Sequence, residues 1–147
     1  MEKALRKTLE SGRFSNVSVS RSEIMRAIKG RGNKATEVPF RLALVRRGVS
    51  GWKMHVMIGQ AQPDFYFPGR KLAVFIDGCF WHGCPKCGHI PKTRVRFWRK
   101  KIELNQQRDC YNCLSLKIRG IKVRRFWEHD ILNNVDGCIK TLDLREE

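Results

Sequence analysis

Residues 78–91 read GCFWHGCPKCGHIP, and no other stretch limits the fold as sharply. It is too rich in Gly, Pro and Cys to be a regular element, so it must be a loop held by something other than a backbone ladder. Cys79, Cys84 and Cys87 fall within nine residues, a spacing that fits a tetrahedral zinc site. A disulfide framework is not expected, because the chain starts MEKALRKTLE rather than with an apolar export signal and reducing compartments keep thiols free. Three thiolates need a fourth ligand. One solution pairs Cys84-x2-Cys87 with Cys110-x2-Cys113, leaving 22 residues between the knuckles; the other joins the loop cysteines to the distant His129. Cys138, standing alone, reads as a buried unpaired thiol.

Around that loop the elements alternate. SEIMRAIKG reads as a short helix capped by Ser22 and closed by Gly30. A second helix begins after Thr36, with apolar Phe40, Leu42, Leu44 and Val45 before Gly48 and with Pro39 tolerated in its first turn. GWKMHVMI, DFYF and KLAVFI are strand-like, and Pro68-Gly69 turns between the last two. A long basic helix is expected from about Thr93 to Ile118, stopped by Gly120, then a KVRRFW strand and a closing helix over DILNNVDGCIKTLDL. The result is one α/β layer structure over 21–147, preceded by a basic arm over 1–20.

The arm and the domain share a strong positive charge: 30 Lys+Arg against 14 Asp+Glu give a formal net charge of +16. With 41% hydrophobic residues the chain can build a core, so the charge points to a polyanionic partner, with nucleic acid first. A membrane role is not expected, since apolar runs such as Leu72 to Ile76 fall far below the ~20 residues that span a bilayer. A cytoplasmic, nucleoid-associated monomer is expected.

Asp64 and Asp77 sit on the two strands joined by the Pro68-Gly69 turn. If they lie opposite each other, their carboxylates share a face and can hold Mg²⁺ against a phosphate. A slip of one residue sets Ile76 opposite Asp64, and Ile76 then offers only its backbone carbonyl. Otherwise either Asp is a plain strand-end residue. His82, in the loop, suits a general base for water but is equally suited to ligate zinc. Asp109, in the long helix, either orients His82 or is a solvated helix charge. Phe80 and Trp81, between two cysteines, either stack on bases or pack; Phe97 suits the core; and RVRFWRKK suits a surface that tracks phosphates.

Taken together, TE at 36–37, PDF at 63–65, FIDGCFWHGC at 75–84, PKTRVRFW at 91–98, KI-x2-N-x3-RD at 101–109 and FWE at 126–128 resemble the very-short-patch repair endonucleases, from about Arg21 to Asp130. The resemblance implies a restriction-endonuclease-like core, a mixed sheet flanked by helices, a structural zinc, and Mg²⁺-dependent nicking of duplex DNA 5′ of the thymine in a T:G mismatch, which starts repair of deaminated 5-methylcytosine. It implies Asp64 and the Ile76 carbonyl as Mg²⁺ ligands, the second register above. It also implies His82 as general base, Asp109 as its orienting group and Glu37 as an acid near the metal-bound waters. Phe80, Trp81 and Trp98 match an aromatic wedge, with Lys92 and Arg94 beside it, and Met25 matches a probe from the opposite groove. Mismatch-repair proteins are the further partners implied.

Two departures stand out. The family often reads Trp-Glu-Cys where this chain has Trp127-Glu128-His129, so Cys79, Cys84, Cys87 and His129 are taken as the zinc set. Asp77 replaces a histidine found in some members and adds an acid that could bind a second metal or tune the first. A lysine two residues after such an acid, usual in nucleases, is replaced by Cys79, which throws the base role onto His82. Two other readings compete: a related nuclease for matched, foreign or branched DNA, and a zinc-stabilised DNA-binding module without catalysis.

Overall fold

A computed structural model describes residues 35–144. The expected arm over 1–20, the helix from Ser22 and Met25 lie outside the described residues. The described order is α1 (Glu37–Arg46), β1 (Lys53–Met54), β2 (Phe65–Phe67), β3 (Leu72–Asp77), α2 (Val95–Ile118), β4 (Lys122–Trp127) and α3 (Glu128–Lys140). This is the alternation expected, in a four-stranded mixed sheet of order β1-β2-β3-β4 whose last pair is parallel. The β3 to β4 crossover contains both the Cys-rich loop and α2, as a parallel connection requires a long excursion.

Side-chain alternation along β3 builds two cores. Leu72 and Val74 pack with Phe65, Phe67, Phe126, Phe40 and Leu44 under α1 and α3, while Ala73 and Phe75 pack with Leu116 and Ile121 under α2. Burial on both faces explains the near-continuous apolar run of LAVFI. Gly120, at φ +74, ends α2: its N–H donates to the Lys117 carbonyl and the Ile121 N–H to that of Leu116, both at 3.0 Å.

Four expectations are corrected. GWKMHVMI is not one strand, because His55 turns at φ +54 after only two ladder residues and the next bridge is Ile58 with Ala61. In α1 only Phe40, Ala43 and Leu44 face inward, with Glu37; Leu42 and Val45 are 50% and 60% exposed, since the helix packs along one stripe. The closing helix begins two residues early, at Glu128, and kinks at Asn134. Finally, neither strand register holds. The ladder pairs Phe65 with Val74, Tyr66 with Ala73 and Phe67 with Leu72, so Asp64 precedes β2 and lies in line with Phe75 rather than with Ile76 or Asp77.

Candidate active site and metal centre

Two groups of side chains meet at the C-terminal end of β3. The first contains Glu37, His55 and Asp64, whose ligand atoms all lie within 4.8 Å of one another. Glu37 starts α1 and is only 3% exposed; His55 Nε2 sits 2.9 Å from Glu37 Oε2. Asp64 escapes the strand register by reaching across to β3, where the Ile76 N–H donates to its Oδ2 at 2.7 Å. Burial pushes the Asp64 carboxyl up to about 8. The Ile76 amide pulls it down, while the charges of Glu37 and Asp77 and a hydrogen bond to Glu37 push the same way as burial. A half-buried acid beside a buried one is a concentration of negative charge that a cation relieves.

The second group contains Asp77, His82 and Asp109. Asp109, on α2, meets His82 Nδ1 through Oδ2 at 2.5 Å, so the loop histidine and the helix acid form the pair that the resemblance implies. Gln106 donates to the His82 carbonyl at 3.2 Å and Asn105 to the Trp81 carbonyl at 2.9 Å, which clamps the loop onto α2. Asp77 is held by Arg125 of β4 through two bonds of 2.6 and 2.7 Å, and Arg125 also reaches Asp109 at 3.2 Å. Burial alone would lower the Arg125 pKa, but the hydrogen bonds and charge of Asp77, with the charge of Asp109, raise it. Together these residues line a cleft of about 480 Å³.

Arg125 was missed by sequence reasoning, although strand parity could have found it: in KVRRFW it shares the buried-side parity of Val123, and its guanidinium lies 4.5 Å from the Phe75 ring centre. Its removal would strip the buried Asp77 carboxylate of both its short bonds and leave it only His82 Nδ1 at 3.8 Å. Arg125→Met is therefore expected to cost about 3 kcal/mol of stability, most of it recovered in Asp77→Asn/Arg125→Met. Urea unfolding of the four members of the cycle measures this; additive losses would show that the pair is not coupled.

The Cys-rich loop and His129 form a cluster that could hold a metal ion. His129 Nδ1 stands 3.3, 3.7 and 3.3 Å from the sulfurs of Cys79, Cys84 and Cys87, and the last two sulfurs are 3.7 Å apart. Tetrahedral Zn–S and Zn–N bonds of ~2.3 and ~2.0 Å give donor separations of roughly 3.5–3.8 Å, so the set fits zinc. Asp130 lies 3.2 Å from the other nitrogen of His129, where it can orient the ring, and Glu128 accepts the Cys79 N–H at 3.2 Å. A Cβ on Gly88 would stand 2.5 Å from the Cys84 carbonyl oxygen, so only glycine lets the loop close on itself there. The rival pairing does not form: Cys110 is exposed and Cys113 faces Arg125 at 3.4 Å. His82 is outside this four-donor set and pairs with Asp109 instead.

Phe80, Trp81 and Trp98 contact one another edge-on with ring centres 5.0–5.9 Å apart, each half-buried, and Phe97 leans on Trp98 rather than entering the core. Lys92, Arg94, Arg96, Arg99 and Lys100 lie exposed beside them.

The family model of the DNA mismatch endonuclease Vsr matches residues 17–87, a span that holds Glu37, Asp64, Asp77, His82 and the three loop cysteines. The type II nicking enzyme V.NaeI of Lentzea aerocolonigenes is 38% identical over 127 residues, 84% of this chain and 76% of that protein. The DNA mismatch endonuclease Vsr of Escherichia coli K12 is 34% identical over 113 residues, covering 74% and 69%. The type II nicking enzyme V.NmeAIP of Neisseria meningitidis serogroup A is 45% identical over 74 residues, about half of each chain. With V.NaeI and the Escherichia coli endonuclease each matched over more than two thirds of their length, the chain belongs to the family of the DNA mismatch endonuclease Vsr.

Proposed function

We propose that this protein, a DNA endonuclease by family, nicks one strand of duplex DNA 5′ of the thymine in a T:G mismatch and so starts very-short-patch repair of deaminated 5-methylcytosine. The observation that carries the reading is the His82–Asp109 pair at one end of β3, joined to the Asp64 carboxyl group through Asp77, which lies 3.8 Å from His82 and whose charge acts on that carboxyl. With Nδ1–H donated to Asp109, the basic lone pair of His82 is on Nε2, the atom that takes a proton from the attacking water. Asp109 holds that tautomer, and Arg125 keeps Asp109 and Asp77 in place around it. The water oxygen attacks phosphorus in line, and the leaving sugar oxygen takes a proton from solvent. Asp64 and the Ile76 carbonyl are the candidate Mg²⁺ ligands, with Glu37 beside them; a cation bound there neutralises charge developing on the phosphate. The N–H and C=O of a strand residue leave on the same edge, which puts the Ile76 carbonyl on the Asp64 side of β3.

The Phe80, Trp81 and Trp98 group suits a wedge between base steps, and the exposed cations beside it suit phosphate contacts. The alternating sheet with helices on both faces is compatible with a restriction-endonuclease-like core. Names of relatives as nicking enzymes favour an endonuclease over a binding module without catalysis.

Single-turnover assays on paired duplexes, one matched and one with a single T:G, test the reading at fixed salt with and without Mg²⁺. A Mg²⁺-dependent nick beside the thymine of the mismatched duplex alone is expected. Equal cutting of both duplexes would keep the nuclease and remove the mismatch role. His82→Ala is expected to slow the nick by ~10²-fold or more while leaving DNA affinity nearly intact; equal loss of affinity and rate would make His82 structural.

A further inference from the structure

His55 has no role in the reading above, yet its backbone and side chain are both held at the acidic group. A non-glycine residue at φ +54 carries strain of roughly 1–2 kcal/mol, and such strain gathers at functional sites. Here the conformation stops β1 and turns the imidazole inward. It is fixed by the His55 N–H donating to the Asp64 carbonyl at 3.3 Å and by the Gln62 amide donating to the His55 carbonyl at 2.9 Å. The Asp64 backbone thus fixes the residue whose ring lies in the Asp64 and Glu37 group.

Ligands about 2.1 Å from one cation stand roughly 3.0 Å apart when adjacent and 4.2 Å apart when opposite. His55 Nε2 and Glu37 Oε2 are 2.9 Å apart, the distance of an adjacent pair, and Asp64 completes a set within 4.8 Å. Two carboxyl groups and one imidazole, all half-buried or buried, are a mixed nitrogen and oxygen donor set. Oxygen ligands alone suit Mg²⁺, whereas imidazole is a better partner for transition metals.

We propose that His55 is a direct ligand of the divalent cation held by Asp64 and Glu37, and that its nitrogen biases this site toward Mn²⁺ over Mg²⁺. The inference rests on Asp64 being a metal ligand. On binding, the His55–Glu37 hydrogen bond gives way to two metal bonds, with the neutral ring keeping its one proton on Nδ1 and offering the Nε2 lone pair to the metal. The plainer alternative is that His55 only donates a hydrogen bond to a buried Glu37.

The test uses zinc-loaded full-length protein, so that Mn²⁺ does not enter the cysteine site. Electron spin echo spectra of bound Mn²⁺ are expected to carry modulation from a directly bonded imidazole nitrogen, and this needs no variant. His55→Gln retains an N–H for Glu37 but lacks the ring nitrogen. It is expected to abolish the modulation and to weaken Mn²⁺ by about tenfold or more, with a smaller loss for Mg²⁺ measured by competition. Bound Mn²⁺ without nitrogen modulation, modulation unchanged in His55→Gln, or equal losses for both metals would overturn the ligand role. Asp64→Asn separates the two levels: if it binds Mn²⁺ as tightly as wild type, the Asp64 assignment itself fails, and the His55 role with it.

Discussion

Asp64→Asn is expected to abolish nicking, to leave DNA affinity unchanged or higher, and to make the Mg²⁺-free protein more stable near neutral pH. The expected loss of rate is on the order of 10³-fold or more, because in the proposed reading this carboxylate holds the cation that would supply several kcal/mol of charge stabilisation at the phosphate. DNA affinity without Mg²⁺ is expected to hold or rise, since asparagine replaces a carboxyl group that carries a proton near neutral pH and a negative charge above it. Stability changes for a separate reason. Burial raises the Asp64 carboxyl from its ordinary 3.8 to about 8, with Glu37 and Asp77 adding to the rise against the Ile76 amide. The folded chain therefore holds a proton that the unfolded chain releases. That contribution is fully present below pH 3.8 and is lost as pH climbs to about 8, so Mg²⁺-free wild type weakens over this window. Asparagine keeps an oxygen for the Ile76 N–H and has no proton to lose, so the gap between variant and wild type widens with pH. Melting curves of zinc-loaded protein at pH 5 and pH 8, without chelator, read the stability; adding Mg²⁺ at pH 8 is expected to close the gap by restoring wild type alone. Nicking by Asp64→Asn at the wild-type rate, or a gap that ignores pH, would remove Asp64 from the site.

The same residue shows where sequence stops being informative. Helix α2 and strand β4 could be read from periodicity and from Gly120, and the loop over 78–91 from its composition, because those signals are local. The register between β2 and β3 is not local. It is set by which faces Phe65, Phe67, Leu72 and Val74 bury together, and Asp64 reaches Ile76 only because it has already left the strand. His55 was invisible for a related reason: GWKMHVMI has the residues of a strand, and the left-handed turn that breaks it is imposed by Asp64 and Gln62. Asp109 could be named as the partner of His82 only through family resemblance, since 27 positions separate them and α2 brings them together. Asp77 was legible as an acid but not as one half of an ion pair, because Arg125 lies across a parallel crossover. Its engagement by Arg125 favours a role in holding the His82 pair over one as ligand of a second metal.

Replacing Cys84 with serine is expected to cost both the metal and the activity. The loop over 78–91 carries His82, Phe80 and Trp81, but its own backbone supplies only a few bonds, such as Cys84 N–H to the Cys79 carbonyl at 2.9 Å and Gly88 N–H to the Cys84 carbonyl at 2.8 Å. The sulfurs gather where protonated thiols gain little from one another. The Cys84 thiol is depressed to about 7, where hydrogen bonds from the Cys87 and Lys86 amides outweigh the desolvation that opposes them; the Cys87 thiol, hydrogen-bonded to Cys79 and desolvated, is pushed up to about 12. A second thiolate so close to the first needs a cation, and the Cys3His set could hold one. Without it, the loop is held against α2 only by the bonds from Asn105 and Gln106, the His82–Asp109 contact and the ring contacts with Trp98. Cys84→Ser is expected to lose bound zinc, to melt ~10 °C or more lower, and to nick at least ~10²-fold more slowly. Cys110→Ser and Cys113→Ser, outside the cluster, are expected to keep one zinc per chain, and His129→Cys to keep it too, since thiolate is an equally competent ligand. Metal analysis beside melting curves decides the matter. Cys84→Ser with one zinc per chain and a wild-type melt would leave the loop to be held by packing alone, whereas zinc lost from Cys110→Ser would return the second knuckle to the site.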